Sequence, residues 1–161
     1  SRQRPTHKMS AWAAYLGTWE GEGVVTVHGK EIGYKETIEM WQEGERPFLC
    51  YRQRTSNKAA GFPMHFESGF FRVLEAGRVE LAVTQCTGVL ELQGGTLGET
   101  AEGHVMDLQS TQVVNVSKVQ EIHRKFTVKG DTMEYTVGLG LVGGGGVTPH
   151  LSAKLTRSAS A

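Results

Sequence analysis

From Gly17 onward the chain is a succession of short runs rich in Val, Thr, Tyr and Phe, broken by Gly, Asn, Asp or Pro about every 8 to 12 residues. That rhythm predicts strands over Thr18 to Val27, Ile32 to Trp41, Phe48 to Thr55, Met64 to Val73, Arg78 to Gln85, Gly88 to Gln93, Thr96 to Ala101, His104 to Ser110, Val119 to Val128, Thr132 to Leu141 and Leu151 to Arg157. In the second run, Ile32, Tyr34, Glu36, Ile38 and Met40 share one parity, so a single face carries both apolar and polar groups. A polar-lined cavity accounts for that mixture. Glu45-Arg46-Pro47, Glu75-Ala76-Gly77 and Lys129-Gly130-Asp131 have the composition of hairpin turns, which makes neighbouring strands antiparallel and their connection up-and-down. Ten or so strands closed on themselves leave more interior than their own side chains fill. The expected architecture is all-β: a closed up-and-down antiparallel β-barrel of about ten strands, with space inside for a ligand.

The N-terminus reads differently. Residues 1–9 are polar and basic without an apolar period, the composition of a flexible tail. Ser10 then precedes the apolar run Ala11 to Leu16, predicted to form one or two capped helical turns that plug a barrel end. Residues 10–161 form the barrel domain, with no repeat and no second domain.

Composition narrows the function. Hydrophobic residues make up 39% of the 161, and no run approaches the ~20 apolar residues of a membrane helix. Lys plus Arg and Asp plus Glu both number 17, leaving no excess of cationic charge for nucleic acid. The expectation is a soluble, cytoplasmic protein with neither nucleic acid nor membrane as partner. Cys50 and Cys86, in apparent strands without a secretory leader, read as free thiols.

Two motifs match as letters only. Gly138 to Gly143 spells G-x-G-x-x-G, but three further glycines and Pro149 follow where a dinucleotide site needs a helix, so the run is a loop. Asn115-Val116-Ser117 has the form of a glycosylation acceptor without a secretory context. The histidines at 7, 28, 65, 104, 123 and 150 show none of the close pairings of a zinc site, and each, taken alone, reads as readily as a structural or surface residue. No nucleophile elbow or phosphate loop is present.

A resemblance carries the reading further. Leu16-Gly17-Thr18-Trp19-Glu20-Gly21-Glu22-Gly23 resembles the G-x-W-x-G-x-G opening of the nitrobindins, haem-binding barrels related in architecture to fatty-acid-binding proteins. Tyr51-x-Gln53-x-Thr55, the block Pro63 to Arg72, Gln85-x-Thr87-Gly88-Val89-x-Glu91, Ser117-Lys118-Val119-x-Glu121-Ile122-x-Arg124 and Pro149-His150-Leu151-x-Ala153-x-Leu155 follow in the family's order, from about Leu16 to Arg157. The resemblance implies a ten-stranded barrel holding one ferric b-type haem per chain in its mouth. It places the axial iron ligand at His150, a propionate-pairing lysine at Lys118 and a second, non-ligating pocket histidine at His65. It further implies reversible nitric oxide binding and isomerisation of peroxynitrite to nitrate, making the protein a haem-dependent peroxynitrite isomerase. Oligomeric state is left open.

One segment departs from the family. The opening normally continues into Tyr-Pro-Thr, whose threonine touches haem, but here Val24 to Ile32 intervene and the Pro-Thr pair is absent. Thr26 or His28 stands in the replacing segment, and the expectation is a reshaped rim on that side. The four glycines before His150 are also unusual for the family. The rival expectation is a carrier of a fatty acid or other small apolar ligand without haem, in which Arg52, Arg54 and Tyr135 would form the carboxylate anchor.

Overall fold

The computed structural model describes residues 11–75 and 77–159. Ten strands follow one another: β1 (Gly17–Val27), β2 (Lys30–Trp41), β3 (Phe48–Asn57), β4 (Pro63–Val73), β5 (Arg78–Gln85), β6 (Leu90–Thr100), β7 (Gly103–Val114), β8 (Val119–Lys129), β9 (Thr132–Leu141) and β10 (Val147–Arg157). Each pairs antiparallel with its sequence neighbours, and β1 pairs with β10 to close the barrel. Closure requires backbones to approach tightly. At Gly21, opposite Leu155, a Cβ would lie 2.1 Å from the Lys154 carbonyl oxygen, so only glycine fits this seam.

The expected tail, residues 1–9, and the proposed cap Ser10 lie outside the described residues. Residues 11–15 form hydrogen-bonded turns, with Tyr15 N–H donating to the Trp12 carbonyl at 2.8 Å, rather than the expected helix. The run is too short to sustain helical propagation. It still plugs the barrel end, because the Trp12 and Tyr15 side chains are buried and the Tyr15 carbonyl accepts the Trp19 indole N–H at 2.9 Å.

Eleven predicted segments become ten strands because 88–93 and 96–101 are one. Gly94 and Gly95 have the composition of a break, yet both pair with β5 and β7, Gly95 with Val79 and Leu108. The glycine is needed for proximity instead: a Cβ on Gly95 would sit 1.8 Å from the Asp107 carbonyl oxygen. β10 likewise begins four residues earlier than expected, so Pro149 and His150 lie inside a strand and not at its start, at a register shift between Pro149 and Leu151. Such a bulge re-aims a side chain.

The core is continuous but unevenly filled. Around the plug it is aromatic, with Trp12, Tyr51, Phe71 and Phe126 meeting at centroid separations of 5.4 to 6.2 Å. The opposite end carries the β1–β2, β3–β4, β5–β6, β7–β8 and β9–β10 connections and holds a cavity.

Candidate functional site

The cavity measures about 300 Å³. Val25, Val27, Met64, Val119, Leu139 and Leu151 give it apolar walls, and His65 and His150 both line it. Parity explains the lining: on β1, Val25 and Val27 face inward, and on β9, Val137 and Leu139 do so.

His150 is half-buried where the β10 bulge turns it toward the cavity. Burial lowers its pKa, a hydrogen bond to the Thr26 backbone carbonyl opposes that shift, and the nearby His65 adds to the lowering. A neutral imidazole whose other nitrogen is held by a carbonyl is the form that binds metal. Thr26 therefore meets the site through its backbone. Its side chain is exposed, between two residues that point inward. His28 is exposed in the β1–β2 turn with a left-handed φ of 50°.

His65 sits across the cavity on β4, its Nε2 3.2 Å from Glu67 Oε2. Lys118 is exposed in the β7–β8 connection at the mouth, where its carbonyl accepts the Val142 N–H of the glycine-rich 142–146 loop at 3.0 Å. It stands at the rim and is not among the residues lining the cavity. The four residues named from the sequence thus fall at one end of the barrel: two inside, one touching through its backbone, one outside on the rim.

Beneath the histidines lies a charged layer that the sequence reading did not single out. Arg124 of β8 is buried, and each of its five N–H donors has a partner. Nη1 donates to Glu67 Oε1 at 2.5 Å and to the Tyr135 hydroxyl at 2.7 Å. Nη2 donates to Glu67 Oε2 at 3.1 Å and Glu91 Oε1 at 2.8 Å, and Nε to Glu91 Oε2 at 3.1 Å. The Tyr51 hydroxyl adds a bond to Glu67 at 2.8 Å, and Gln85 and Gln93 donate to Glu91. Burial alone would raise the Glu67 pKa, but Arg124 above all, with His65, brings it down to about 2. Glu36 nearby has no cation of its own. Burial pushes its pKa up to about 7, the Gln53 hydrogen bond opposing and the Glu67 charge reinforcing the rise.

A parity reading would have found this layer. Arg124 shares its face with Ile122, Phe126 and Val128, Glu67 shares one with Phe71, and Glu91 precedes Gln93 at the same spacing. One base and two acids on core-facing positions have to meet one another. The same geometry corrects the carboxylate anchor. Arg52 and Arg54 point outward, both to Glu39, at 2.6 and 3.7 Å. Tyr135 is inside but committed to Arg124, which has no donor left for a ligand carboxylate. Among the described residues no three His, Cys, Asp or Glu side chains are grouped to hold a metal ion. A metal here has to arrive with most of its ligands, and one imidazole facing an apolar cavity fits a haem, which needs a single protein ligand.

Comparison with known proteins agrees. The THAP4-like, heme-binding beta-barrel domain family matches residues 8–157. A peroxynitrite isomerase of Nocardia farcinica is 39% identical over 158 residues, covering 92% of this chain and 90% of the relative. The Arabidopsis thaliana protein named peroxynitrite isomerase Rv2717c is 35% identical over 157 residues, covering 95% of this chain and 91% of its own. In three dimensions the crystal structure of Rv2717c from M. tuberculosis superposes with a TM-score of 0.83 at 29% identity, covering 92% of this chain and 96% of that one. On sequence, architecture and the chemistry of its cavity, the chain belongs to the nitrobindin family of THAP4-like haem-binding β-barrels.

Proposed function

We propose that this protein binds one ferric b-type haem through His150 and isomerises peroxynitrite to nitrate, with nitric oxide as a further ligand. The observation that carries the reading is the His150 imidazole, turned by the β10 bulge into an apolar cavity and hydrogen-bonded to the Thr26 carbonyl. The curated relatives of Nocardia and Arabidopsis, named for this activity, support it. A bound haem would supply a Lewis-acidic iron to which a small nitrogen oxide could coordinate.

The chain's own residues do the rest. His150 stays neutral because burial disfavours its charge, and the Thr26 carbonyl fixes the ring's tautomer and direction. Val25, Val27, Met64, Val119, Leu139 and Leu151 exclude water from the faces of a planar apolar group. Lys118 on the rim pairs with a propionate in solvent. His65, tethered to Glu67, presents a polar group to the same cavity without serving as ligand.

Hemin titration of the wild type and of His150→Ala, followed by absorption and by nitrate yield from peroxynitrite, tests the assignment. The wild type takes up one equivalent saturably. The variant keeps its circular dichroism spectrum but binds haem at least tenfold more weakly and loses the isomerase activity. A variant with wild-type haem spectrum and nitrate yield overturns the role of His150.

A further inference from the structure

Every donor of Arg124 is engaged, but on the cavity wall next to it polar atoms stand idle. Among the described residues five buried side-chain atoms have no hydrogen-bond partner in the chain, and three of them belong to neighbours on β2 and β3: the Tyr34 hydroxyl, Glu36 Oε2 and Gln53 Oε1. All three side chains are more than nine-tenths buried, and Tyr34 and Gln53 line the cavity that His65 and His150 also line. Register brings the group together. Glu36 lies opposite Thr55 and Ile38 opposite Gln53, so Glu36 and Gln53 are diagonal neighbours on one inward face. Glu36 Oε1 accepts the Gln53 amide N–H, a single bond that leaves the second oxygen of each side chain unused. Tyr34 reaches inward over Gly23, where a Cβ would collide with the phenol oxygen, so the missing side chain is what admits the hydroxyl. A buried polar atom without a partner costs stability, and three in one patch of a cavity wall are groups that a guest satisfies.

We infer that the Tyr34–Glu36–Gln53 patch is a binding site for a neutral primary carboxamide on a short apolar chain, a ligand distinct from haem. The balance of donors and acceptors selects the head group. Burial keeps the Glu36 carboxyl protonated up to about 7, so Glu36 and Tyr34 offer O–H donors and Gln53 a carbonyl acceptor. An amide carbonyl accepts from both hydroxyls while its NH2 donates to Gln53 Oε1, and one planar group then satisfies all three idle atoms. A carboxylate has no N–H for Gln53, and it brings a charge that nothing in the cavity neutralises, since Glu67 and Glu91 already claim Arg124. An alcohol has to meet all three atoms from a single oxygen. For the body of the ligand, Val25, Val137 and Leu151 supply apolar wall, and a cavity of about 300 Å³ limits it to a few carbons.

Isothermal titration of the whole chain, before hemin is added, with hexanamide, hexanoate and hexanol reads the site. Hexanamide binds one to one and at least tenfold more tightly than either of the others. Tyr34→Phe removes one donor without breaking any side-chain hydrogen bond of the chain, so its thermal midpoint holds or rises while hexanamide binds at least threefold more weakly. Loss of packing does not give that combination. Equal affinity for hexanoate or hexanol overturns the inference, as does wild-type binding by Tyr34→Phe or a wild type that takes up no hexanamide. A hemin titration of the same preparation, read separately, keeps a failure of this site distinct from a failure of His150 as the haem ligand.

Discussion

The same strands run through both halves of the barrel, yet one half is filled and the other holds a cavity. Along β8 the inward residues go from Val119 and Ile122 at the mouth, through Arg124, to Phe126 and Val128 near the plug. Along β9 they go the other way, from Met133 through Tyr135 to Val137 and Leu139. On β4, Phe71 fills the closed half while Glu67 and His65 stand toward the mouth. Backbone geometry barely distinguishes the halves. Side-chain bulk does, and the Arg124 layer marks the border. It is a floor that excludes anionic head groups, since Arg124 is spent on two carboxylates, and it leaves the apolar space above for a planar ligand.

Removing the floor breaks this division most severely. Arg124→Met leaves Glu67 and Glu91 buried without their cation and should cost about 3 to 5 kcal/mol, read from the urea midpoint. Combining it with Glu67→Gln and Glu91→Gln should recover much of the loss, because the penalty lies in the unpaired charge. A triple variant as unstable as the single one would show that packing, not charge, holds the border.

The next effect is a pH dependence that separates two neighbouring carboxyls. Glu36 keeps its proton in the folded state up to about 7, whereas its ordinary pKa is 4.5. Between those values the folded chain binds more protons than the unfolded one, so stability falls as pH rises through the window, by about 3 kcal/mol, and then levels off. Glu67, held down at about 2, acts in the opposite sense: its contribution is complete above 4.5 and is lost as pH falls toward 2. Chemical denaturation across the pH range should lose the upper slope in Glu36→Gln and keep the lower one. An unchanged upper slope would assign it to another group. The smallest effect belongs to the rim, where Lys118→Ala should weaken haem binding less than tenfold, as expected of a solvent-exposed ion pair. A larger loss would place Lys118 within the cavity's own machinery.

Strands, turns and closure were legible because period-two alternation and hairpin chemistry are local. The cavity was foreshadowed by Glu36 standing between Tyr34 and Ile38 on one face. Other features depend on what approaches from outside the segment. Gly94-Gly95 reads as a break until β7 is placed against it, and Arg52, Arg54 and Arg124 look alike until register decides which way each points. The resemblance singled out His150 by its neighbours, but the bulge that aims it and the Thr26 carbonyl beside it come from pairing between β10, β9 and β1.

The seam between β1 and β10 sets an order of events. Its partners lie far apart along the chain, Trp19 opposite Arg157 and Val25 opposite Leu151, so on a ribosome the first strand is complete long before its second neighbour has been synthesised. Until then β1 presents one open row of amides and carbonyls, the period of greatest exposure to wrong pairing. The strand that ends that period is the one bearing His150. His150 is therefore delivered to the cavity by the closing step itself, so a nascent chain completes the lining of that cavity only as it loses its last unpaired edge.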